Sequence, residues 1–97
     1  MNDYILLMHA DANRTADPQM WSDYFAALRV AGAFQGGSSI GAGQTLRKDV
    51  APAPVTDHLA GYIRIQAPDM AAAKALVAGN PVFECGGTVE IRALTLG

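Results

Sequence analysis

The order of elements in the second half of the chain most limits what it can fold into. Residues 59–66 are an apolar, β-branched run that predicts a strand, and the Ala-rich segment after Asp69 has helical spacing. A Gly-Asn-Pro segment at 79–81 ends this helix, and residues 88–94 alternate apolar and polar side chains as a half-buried strand does. This half of the chain therefore predicts a strand–helix–strand unit.

The first half of the chain shows the same order. Residues 4–9 are apolar at both alternating sets of positions, which is typical of a strand covered on both sides. Asp17 is a good N-cap and Pro18 suits the first helical position, while Gly32 marks the end of that helix. Residues 33–37 then predict a second strand.

The two halves together predict the order βαββαβ. This is the α+β, ferredoxin-like arrangement, a four-stranded antiparallel sheet with two helices on one face, formed by a single domain over residues 1–97. The first and third strands lie at its centre. Between the second and third strands, glycines and prolines predict a hairpin-like excursion through Leu46 toward Pro52 and Pro54.

The alternation of side chains assigns two faces to the predicted sheet. The residues that suit the helix side are Ile63, Ile65, Val89 and Ile91, and those left on the open side are Tyr62, Arg64, Gln66, Glu90 and Arg92. The first strand presents Ile or Leu on the open side whichever way it faces. An apolar centre ringed by charge predicts a homodimer in which two open faces pack together.

The low content of charged residues fits a surface covered by a second chain, but it also has a simpler interpretation. Charged residues make up 16% of the chain, against roughly 25% in a typical domain. This deficit fits an apolar surface that another chain covers. It also fits a domain rich in Ala and Gly, since Ala raises the hydrophobic share to 51%.

Charge, cysteine content and hydropathy exclude several classes of partner. The net charge is −2 and the seven basic residues are scattered, so we expect no nucleic acid to bind. Cys85 is the only cysteine, which rules out a disulfide within the chain and a thiolate metal cluster. The apolar run at 5–8 is too short for a signal-peptide core or a membrane span. We therefore expect a cytoplasmic protein without a membrane partner.

Two histidines are the candidates for catalysis near neutral pH. His9 ends the first strand, where it would border a cleft near Arg64 or Arg92 and act as a general base. His58 follows Asp57, but neighbours on a strand point to opposite faces, so the pair is poorly arranged as a dyad. The alternative is that both rings are solvated or bonded to the backbone. His9, His58 and Asp11 match no metal signature, and no pattern requires a cofactor, so we expect neither.

Aromatic residues of the first helix are the candidates for ligand binding. Trp21, Tyr24 and Phe25 form one apolar stripe, which predicts either core residues or the wall of a pocket between helix and sheet. Arg64 and Arg92 are the charged residues we assign to such a ligand site. The glycines at 41–46 lack the last glycine and the helix of a dinucleotide loop, so they predict no phosphate site.

The landmarks at 4–8, 28–32 and above all 59–92 resemble those of the YCII-related family and its DGPF-type branch. The resemblance covers nearly the whole chain. It implies a small bacterial ferredoxin-like domain that pairs into a dimeric α+β barrel.

The sites of that family are largely missing from this sequence. In the DGPF-type branch an Asp-Gly-Pro-Phe segment precedes the third strand, and residues 50–58 take its place here. In the YCII branch a helical histidine and an aspartate before the late proline form a proposed active site. Met20 or Trp21, and Asn80, stand at the matching positions, so this dyad does not carry over.

Two hypotheses about function follow. The first is a small homodimeric domain that binds a metabolite in a pocket between sheet and helices. The second is an enzyme without a cofactor, an isomerase, lyase or monooxygenase-like protein that uses a histidine base on a small aromatic or lactone-like substrate. Barrel relatives include lactone isomerases and monooxygenases, but a shared fold does not transfer an activity. A histidine directed into a closed pocket would favour the enzyme.

Overall fold

The computed structural model describes residues 1–95 and contains seven elements. In chain order they are β1 (Asn2–His9), α1 (Pro18–Val30), β2 (Phe34–Ser39), β3 (Leu59–Ala67), α2 (Met70–Ala75), α3 (Pro81–Glu84) and β4 (Val89–Leu94). The four strands form one antiparallel sheet in the order β2-β3-β1-β4. This topology confirms the ferredoxin-like α+β class, with the first and third strands at the centre. No helix in the described part of the chain has both the length and the hydropathy needed to cross a membrane.

Helix α1 begins and ends as its sequence predicts. The Asp17 carboxylate accepts a hydrogen bond from the Gln19 amide at 2.9 Å, and Pro18 occupies the first turn. Gly32 follows with φ +68°, a left-handed conformation that glycine adopts without strain. Tyr24 and Leu28, one turn apart, are the buried residues that hold this helix on the sheet.

The second half of the chain contains one more helix than expected. Helix α2 ends at Ala75, and the segment 79–81 does not simply terminate it but starts the separate one-turn helix α3. The reason lies in Asn80 and Pro81. The Asn80 side chain accepts hydrogen bonds from the amides of Val82 and Phe83. Pro81 suits the first helical position, because the backbone N–H that it lacks would have had no partner within the helix.

The central strand β1 is covered on one face only in the single chain. Tyr4, Leu6 and Met8 are buried beneath the helices, whereas Ile5 and Leu7 point to the other face and stay half-buried. The expected division of β3 and β4 into a helix side and an open side is confirmed by the register of the strands. The prediction that β1 is covered on both sides is therefore not met within the single chain.

Residues 40–58 connect β2 to β3 without helix or strand. The Thr45 hydroxyl donates to the Ala53 carbonyl, which closes the middle of this loop, and Leu46 is 93% exposed. The radius of gyration is 14.8 Å, against about 12.5 Å for a compact chain of this length. The single chain is thus a flat, half-covered sheet with an extended loop.

Candidate functional site

A cavity of about 420 Å³ lies on the helix side of the sheet, between α1, α3 and the strands β2 and β3. Its walls include Met8, Trp21, Phe25, Ser38, Ser39, Gly61 and Val82. The cavity exists partly because position 61 has no side chain. Gly61 lies opposite Met8 on the helix-facing side, and a Cβ added there would stand 3.1 Å from the Met8 methyl and 3.0 Å from the Ser38 carbonyl oxygen. The glycine therefore keeps the floor of the cavity open.

Trp21 and Phe25 form the aromatic wall of this cavity. Their ring centroids lie 5.7 Å apart at 28°, and Phe25 meets Phe34 edge-on at 5.4 Å, which holds the wall in position. Both residues are only partly buried.

Tyr24 occupies a different place from its two aromatic neighbours. It is 3% exposed and packs into the core, where its hydroxyl donates to the Leu76 carbonyl at 2.7 Å. Burial raises the pKa of this phenol. Tyr24 thus ties α1 to the segment after α2 and does not line the cavity.

A second cluster lies on the open face, at the end of β1. His9 Nε2 is 3.0 Å from Glu90 Oε1, and Arg92 donates to Glu90 Oε2 at 3.1 Å. The hydrogen bond to His9, and after it that to Arg92, holds the pKa of the Glu90 carboxyl below its usual value. The ring of His58 meets that of His9 edge-on at 4.9 Å. Two imidazoles and a carboxylate are therefore in contact on this face.

The structure divides the predicted site residues into two groups on opposite sides of the sheet. Trp21 and Phe25 face the helix-side cavity. The two histidines, Arg64 and Arg92 lie outside its walls, and the register places both arginines beside Ile5 on the open face. The His9 ring contacts the Glu90 carboxylate, whereas an arginine was expected beside it.

Glu90 is the site residue that sequence reasoning left without a role. The register pairs Leu7 with Glu90, so Glu90 is a diagonal neighbour of His9 on the same face, 81 positions along the chain. Only the pairing of β1 with β4 brings these residues together. The alternation of residues 88–94 indicated the face of Glu90 but could not identify its neighbour.

The other candidate residues have structural partners. The Asp11 carboxylate accepts from the Thr88 amide at 2.8 Å and from the Thr88 hydroxyl at 2.6 Å, and these bonds lower its pKa. Cys85 is buried. Within residues 1–95, no three histidine, cysteine or acidic side chains are grouped so that they could hold a metal ion.

Comparisons with known proteins show a similarity in chain path and no match in sequence. No protein-family model matches this chain, and no curated protein matches it. A solved structure of 5-chloro-2-hydroxyhydroquinone dehydrochlorinase from Burkholderia phenoliruptrix AC1100, in complex with 2,5-dihydroxybenzoquinone, is similar over 98% of this chain and 95% of that chain. The two share 15% sequence identity with a TM-score of 0.49, a likeness that concerns the chain path alone. The class that the fold and the cavity define is a ferredoxin-like α+β domain with a pocket beneath its helices.

Proposed function

We propose that this chain is a homodimeric, YCII-like domain that binds a small metabolite in the cavity between α1 and the sheet. The observation that supports the proposal is the cavity itself, because about 420 Å³ lies within the range of small-molecule sites. One wall is aromatic and the opposite wall is the backbone of a glycine-containing strand. A planar ring fits between two such surfaces.

The polarity of the cavity limits the chemistry of its ligand. None of the described residues that line it is charged. Ser39 pairs with Gly61 on the helix-facing side and supplies a side-chain hydroxyl, whereas Ser38 pairs with Tyr62 and contributes its backbone carbonyl near Gly61. Because an ion is costly to bury without a charged partner, the expected ligand is neutral, planar and mainly apolar, with polar groups at the serine end.

The open face supports the homodimer part of the proposal. Ile5 and Leu7 form an apolar centre that the single chain leaves half-buried. The charged residues around it are Asp3 and Glu90, which are acidic, and Arg64 and Arg92, which are basic. With equal numbers of each sign, a second copy meets no net repulsion on this face.

The cavity can be tested with the neutral fluorescent probe N-phenyl-1-naphthylamine. Trp21 is the only tryptophan, so energy transfer from it reports a probe bound at the aromatic wall. We expect saturable binding with one probe per chain. Ser39→Phe should weaken it at least about tenfold, because Ser39 pairs with Gly61 and faces the cavity.

The matched control is Ser22→Phe, which adds the same ring to the exposed residue next to Trp21. It should bind the probe as the unaltered protein does. Absence of saturable transfer, or an equal effect of the two substitutions, would contradict a ligand site in this cavity.

A second candidate is the enzyme without a cofactor, with His9 as general base on the open face. The contact between His9 and Glu90 favours it, since an imidazole oriented by a carboxylate is a common arrangement for proton transfer. Turnover of a lactone or hydroxylated aromatic compound that is lost in His9→Gln and kept in His58→Gln would support this candidate. Turnover that persists in His9→Gln would exclude His9 as the base.

A further inference from the structure

The pairing of β1 with β4 determines how the His9 ring is held. The His9 amide donates to the Thr88 carbonyl at 2.9 Å, and Leu7 pairs with Glu90 two residues further along the ladder. His9 and Glu90 therefore project from adjacent strands on the same open face. Their side chains meet at 3.0 Å through Nε2 of the ring and one carboxylate oxygen.

The environment of Glu90 fixes which atom of this contact carries the proton. Arg92 holds the second carboxylate oxygen at 3.1 Å, and both bonds favour the ionised carboxylate. A carboxylate can only accept hydrogen bonds. Nε2 must then be the donor, and in the neutral ring the second nitrogen, Nδ1, is left without a proton.

The other groups near the ring leave this arrangement in place. His58 contacts His9 edge-on. The Asp11 carboxylate, two residues after His9 in the chain, accepts two hydrogen bonds from Thr88. Arg64 lies on the rung of Ile5 and forms no ion pair within residues 1–95. In the single chain the His9 side chain retains 20% exposure, and it lies at the end of β1, beyond the Ile5 and Leu7 centre of the proposed contact between two copies.

We infer that Glu90 is a positioning residue, which holds His9 with its proton on Nε2 and so leaves Nδ1 as the proton acceptor of the ring. This inference rests on the second candidate function. A weak O–H or C–H acid would transfer its proton to Nδ1, its bonding electron pair would stay on the resulting anion, and the imidazolium would keep its Nε2–H bond to Glu90. Compounds whose anion is delocalised, such as phenols and enols, are the weak acids that an imidazole base deprotonates most easily.

The experiment is NMR of the free protein labelled with ¹⁵N-histidine, at a pH where His9 is neutral. We expect an unprotonated Nδ1 and a slowly exchanging Nε2–H signal displaced to low field. Glu90→Gln keeps the shape of the side chain but removes its charge, so the signal should move upfield. In Glu90→Ala it should disappear by exchange with water. Asp23→Asn, on the exposed side of α1, is the control and should change nothing at His9.

Two results would overturn the inference. One is a proton on Nδ1 in the unaltered protein, and the other is an Nε2–H signal that is the same in Glu90→Gln. Each readout comes from the free protein, so it is independent of turnover. If His9→Gln leaves turnover intact while the NMR result holds, His9 is excluded as the catalytic base and the positioning by Glu90 stands.

Discussion

Asn80 is a buried polar residue whose side chain links two elements of the fold. It is completely buried, its side-chain oxygen accepts from the Val82 and Phe83 amides at 2.9 and 3.2 Å, and its amide group donates to Met8 Sδ at 3.6 Å. One side chain thus starts α3 and attaches it to the central strand β1. Because α3 supplies Val82 to the cavity, Asn80 also shapes the candidate ligand site.

Replacing Asn80 by Ala should cost more than replacing the exposed helix cap Asp69. Asn80→Ala leaves two amides without a partner in a part-buried site, so we expect a loss of about 2–3 kcal/mol in the free energy of unfolding. Asp69→Ala removes one exposed bond, to the Ala72 amide, and should cost about 1 kcal/mol. Urea denaturation at one protein concentration measures both. Equal losses would show that burial of Asn80 adds nothing to its role as a cap.

Helix α1 combines two different apolar surfaces in one stripe. Leu28 and Tyr24, at 2% and 3% exposure, pack into the core, whereas Trp21 and Phe25 are partly buried along the cavity. Helical spacing indicated that all of these residues face the sheet. It could not indicate that the sheet leaves a gap opposite the first half of the helix, because that gap depends on Gly61 of a strand far along the chain.

Replacing Trp21 by Ala should therefore lower the free energy of unfolding less than replacing the smaller Leu28 by Ala. Leu28→Ala empties a closed core site, and we expect a loss of about 3–4 kcal/mol. Trp21→Ala enlarges a cavity that already exists and is open to solvent, so about 1–2 kcal/mol is expected. Denaturation monitored by circular dichroism compares the two, since one variant lacks the tryptophan. A loss for Trp21→Ala that exceeds the loss for Leu28→Ala would place Trp21 in the core.

At the scale of the whole molecule, the single chain covers one face of its sheet and leaves the other bare. Buried residues of β1 and β3 all belong to the helix side, and the apolar residues Ile5 and Leu7 of the open side stay half-buried. These half-buried apolar residues are the reason to expect a second copy on the open face.

A charge placed in that face should separate the two copies. We expect the unaltered protein to sediment at about twice the chain mass of 10.2 kDa at micromolar concentration. Leu7→Asp should sediment as a single chain, because it buries an unpaired carboxylate in the contact. Val30→Asp, at a residue 91% exposed on α1, is the control and should remain a dimer. An unaltered protein that sediments at the mass of one chain would contradict the homodimer.

Local physics was enough for the sequence to determine the elements and their class. Alternation in the strands and the Asp17–Pro18 start are decided by neighbouring residues, and these predictions are confirmed. The segment at 79–81 shows the limit of such signals. Asn-Pro both ends one helix and suits the start of another, and the choice depended on a buried position for Asn80 beneath β1.

Only the tertiary structure decided which residues far apart in the sequence lie next to each other. The contact of His9 with Glu90 depends on the register of β1 against β4, and the cavity depends on α1 crossing the strand that carries Gly61. Both relations join residues at least 36 positions apart, from Phe25 to Gly61 in the cavity and further from His9 to Glu90. Periodicity in a sequence fixes the face on which a side chain lies, because the backbone repeat is local. It carries no information about the neighbour across the strand or above the sheet, which only the packed chain supplies.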